Sequence, residues 1–117
     1  MLGILVPIRR FASLIDELNF NFEVAREGKT VDHLGALFRE NEFHRLLSDG
    51  ALSSLPSDLR TSVTKAYVAI SRANHEVTAF FSVPSQHRQP RQERDAFGAV
   101  SNCLELIREV RAKLALI

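Results

Sequence analysis

Leu59, Val63, Ala66, Ile70, Ala73, Val77 and Phe80 follow one another in steps of three and four. Only an α-helix, turning about 100° per residue, gathers residues so spaced onto one face. The stretch from about Pro56 to Phe81 is therefore expected to be a helix packed along a single seam. Ser54 is the candidate N-cap, and Asp58 sits in the first turn, where a carboxylate suits the helix dipole.

The same spacing recurs on either side. From about Ile4 to Glu27 it runs through Ile8, Phe11, Ile15, Leu18, Phe22 and Ala25. Pro7 fits only a first turn, which sets the start near Val6, and Gly28 suits the C-terminal cap. From about Pro90 to Ile117 the seam carries Phe97, Val100, Leu104, Ile107 and Leu114. Cys103, Leu106 and Val110 widen it, so this helix should touch two neighbours.

A fourth segment, about Asp32 to Leu47, is less regular. Leu34, Leu37 and Phe38 share one face, while Phe43, Leu46 and Leu47 fall on another, which a bend or break near Asn41 would reconcile. Asp49 and Gly50 then supply a turn. No stretch alternates with period two, so strands are not expected. The long helices should each extend about 35 to 40 Å at a rise of about 1.5 Å per residue. Short connections favour antiparallel neighbours. The expected fold is an all-α, up-down four-helix bundle with three long helices and one shorter, broken one, the whole of residues 1–117 forming a single domain.

Composition narrows function mainly by exclusion. Fifteen Lys and Arg against 14 Asp and Glu give a net charge of +1, which argues against nucleic acid or an anionic membrane as the main partner. One cysteine, Cys103, rules out an intrachain disulfide and a multi-cysteine metal site, and it fits a reducing, cytoplasmic setting. The apolar opening Met1 to Ile8 falls far short of the roughly 20 residues that span a bilayer. It reads as part of the fold, with the end of a membrane anchor preceding Met1 as the alternative.

Polar residues near the seams are the informative exceptions. Asn19 and Asn74 lie close to the apolar stripes of two helices expected to run parallel, with Tyr67 beside them and Glu17 or Asn21 at the margin. Buried amides require partners. These residues could fix register, as a buried Asn does in coiled coils, or line a small-ligand site. Metal ligation is not expected: Glu40 and His44 are four apart, but two ligands are too few, and no cofactor motif is present. Phe20 and Val24 project almost opposite their helix's seam and form a candidate surface for self-association or a protein partner. His87, Arg88, Arg91 and Arg94 gather where the last helix begins and read as a solvated linker.

Two resemblances add to this. Arg39 and His44, separated by four residues, resemble the Arg-x4-His pattern of HEPN ribonucleases, in which the two side chains converge across a dimer groove. That resemblance implies Arg39 holding a scissile phosphate and His44 exchanging protons with a ribose hydroxyl or leaving oxygen. Over roughly two-thirds of the chain, Leu14, Glu17, Leu18 and Asn21, then Phe43, Gly50, Leu52 and Leu55, then Tyr67, Ile70 and Asn74 resemble a diffuse group of uncharacterised small prokaryotic helical-bundle proteins. Members of that group often follow a transmembrane helix, and the resemblance implies no activity. The expected role is a noncatalytic, self-associating assembly module, with a ribonuclease or a ligand sensor as alternatives.

Overall fold

The computed structural model describes residues 11–28 and 37–115. The protein is all-α, and its described residues form a bundle of four helices: α1 (Ala12–Glu27), α2 (Asn41–Ser48), α3 (Ser57–Ser82) and α4 (Pro90–Leu114). Short 3-10 turns lie at Ala51–Ser54 and Ser85–His87, and there is no strand among the described residues. The expectations for Met1 to Ile8 and for Leu34 fall outside the described residues, whereas α1, expected to start near Val6, begins at Ala12 with Phe11 in its cap position. No helix among the described residues is long and apolar enough to cross a membrane.

The seam expected for α3 is the seam observed, each of its seven residues being buried. Burying a Val, Leu, Ile or Phe contributes about 1.5 to 3 kcal/mol, so this face dominates the helix's stability. Along α4 the buried residues are Ala96, Val100, Cys103, Ile107 and Val110. That face packs against both α3 and α1, as its breadth requires. Lys113 near the end of α4 donates to Ser62 Oγ near the start of α3 (2.6 Å), which makes the two antiparallel. α1 also runs antiparallel to α4, with Gly28 against Val100 and Phe22 under the Arg111 guanidinium, 3.9 Å from its ring centre.

The chain is non-helical just before Asn41, where the break is expected, and the helical part expected ahead of it lies largely outside the described residues. Residues 37–40 are non-helical and α2 starts at Asn41. Phe38, Phe43, Leu46, Leu52 and Leu55 are buried from this connecting region, so it fills the space between α1 and α3. Gly50 takes φ +78°, a left-handed turn conformation that favours glycine, and Asp49 Oδ1 accepts the Ala51 N–H (2.9 Å).

Two local expectations fail for identifiable reasons, and a third, the Gly28 cap, holds for a different one. α3 begins at Ser57 with Pro56 in the cap position, and Ser54 instead donates to the Ala51 carbonyl (2.7 Å) within the 3-10 turn. Gly28 does end α1, but at φ −77°; the absence of a side chain matters because a Cβ there would lie 3.1 Å from Val100. Arg91 and Arg94 are not in a linker. They occupy the first turns of α4, whose start is set by Pro90 and by the Gln92 side chain accepting the Gln89 N–H (2.8 Å).

Candidate functional site

Four polar side chains converge on the connecting segment 38–43. Glu17 and Asn21 are one turn apart on α1; Tyr67 and Asn74 are two turns apart on α3. Both pairs keep the helical spacing that leaves them on a single face. Asn21 brackets Arg39, its Oδ1 accepting the backbone N–H (2.8 Å) and its Nδ2 donating to the carbonyl (2.8 Å). Asn74 does the same to Phe38 (2.8 and 3.1 Å), and its Nδ2 also donates to Glu40 Oε2 (3.0 Å). Each amide thus pairs with a peptide unit as a neighbouring strand would.

Glu17 completes the arrangement. Its Oε2 accepts the Glu42 N–H (2.9 Å), and its Oε1 accepts the Phe43 N–H (3.3 Å) and the Tyr67 hydroxyl (2.8 Å). Those two amides open α2, whose own Glu40 makes no capping bond. A residue of α1 therefore caps α2, and a carboxylate is the charge the helix start favours. The Tyr67 ring stacks on Phe43, with centroids 4.3 Å apart and planes 7° from parallel. Burial and the Glu17 carboxylate push the Tyr67 hydroxyl far above the usual phenol range, so it remains a donor. Among the described residues no buried side-chain nitrogen or oxygen lacks a partner. The arrangement is a clamp whose polar groups are already occupied.

Asn19, expected at the centre of this cluster, is exposed. The seam of α1 keeps Phe11, Leu18 and Ala25 of the expected line but runs through Leu14 and Asn21 where Ile15 and Phe22 are expected. That partial turn, smaller than the roughly 100° of one residue, puts Asn21 and Glu17 inside and leaves Asn19 outside. Asn19 instead borders an apolar groove of 450 Å³ between α1 and the end of α4, beside Ile15 and Leu114. The proposed association pair is partly covered. Phe20 is half-buried with the Arg39 guanidinium 3.8 Å above its ring centre, and half-buried Val24 packs against the core.

Arg39 and His44 are both exposed, and each is engaged elsewhere. Arg39 stacks on Phe20, whereas His44 Nε2 lies 3.6 Å from Glu40 Oε1 and its ring meets the Phe43 ring edge-on. Cys103 is fully buried, and burial pushes its thiol up to about 12, far from a nucleophilic thiolate at neutral pH. No group of three His, Cys, Asp or Glu among the described residues could hold a metal ion.

A second polar region lies on the opposite side of the α3–α4 pair. There a groove of 490 Å³ is bordered by Arg72 and Glu76 from α3 and by Arg91, Arg94, Asp95 and Gly98 from α4. Among the described residues none of these three arginines has a carboxylate within 4.0 Å. The sequence signal for it was a spacing of three and four among charged residues, read on α4 as a linker. Comparison with family models, curated proteins and solved structures found no match to the chain.

Proposed function

We propose that this protein is a noncatalytic helical assembly module that acts by associating with further copies of itself. The observation that carries the reading is the contrast in how its polar groups are used. Glu17, Asn21, Tyr67 and Asn74 are committed to holding segment 38–43 in place, while unpaired charges collect on an outer helix face. A reactive centre needs groups aimed at a substrate position. Here the interior carboxylate, phenol and amides all serve the fold. The single buried thiol suits a chain kept in the reducing cytoplasm.

Sedimentation equilibrium from micromolar to millimolar concentration tests this. The expected result is a mass that rises reversibly with concentration, and RNA left intact by the same preparation. A mass fixed at 13.2 kDa throughout would overturn the reading. So would RNA cleavage that His44→Ala abolishes, which would favour the Arg39 and His44 ribonuclease.

A further inference from the structure

We draw no further inference here: the strongest candidate, the apolar groove between α1 and the end of α4 where Asn19 and Arg111 meet Ile15 and Leu114, carries nothing because nothing in the structure shows what covers it.

Discussion

The two faces of α3 use similar chemistry to opposite ends. Towards the interior, Tyr67 and Asn74 join Glu17 and Asn21 in a network in which each donor has an acceptor within 3.3 Å. Towards the outside, Arg72 and Glu76 share a groove with Arg91, Arg94 and Asp95, and no ion pair forms among them at 4.0 Å or less. The cost of isolation explains the difference. An unpaired buried polar group costs about 1 to 3 kcal/mol, whereas an exposed charge is satisfied by water. Interior groups must therefore be paired for the chain to fold, and exterior ones remain available to another molecule.

The largest expected break in this contrast is Glu17→Ala. It leaves two α2 amides and the Tyr67 hydroxyl without an acceptor, and a loss of about 3 kcal/mol in urea denaturation should follow. Hydrogen exchange should quicken most at the Glu42 and Phe43 amides. Tyr67→Phe removes one hydroxyl bond and keeps the stack on Phe43, so the same measurement should give about 1 kcal/mol. Arg94→Ala, on the outer face, should stay within about 0.5 kcal/mol of wild type at concentrations where the protein is monomeric. A larger loss there would mean that the groove is part of the fold's own support.

Periodicity made most of the architecture legible. The α3 seam, the broad α4 face, the parallel course of α1 and α3, and the non-helical stretch before α2 all follow from where apolar residues fall. The polar cluster was half legible. Tyr67 and Asn74 stood out, but α1 has apolar residues at both Leu14 and Ile15 and again near both Asn21 and Phe22, so two seam lines that differ at those positions fit almost equally. Only tertiary packing separates them. The groove was less visible still, because Arg72 and Asp95 belong to different helices and nothing local links them.

The borrowed cap on α2 bears on the order in which the chain assembles. Eight residues are too few to hold a helix alone in water, since nucleation is costly and isolated helices need about 12 to 15. Its two leading amides wait on a carboxylate 25 and 26 positions earlier, and that carboxylate is itself steadied by a phenol 50 positions later. Segment 38–43 consequently becomes ordered only after the chain on both sides has come together. In refolding, the amides of α2 should be the last to gain protection, closing the molecule much as a keystone closes an arch.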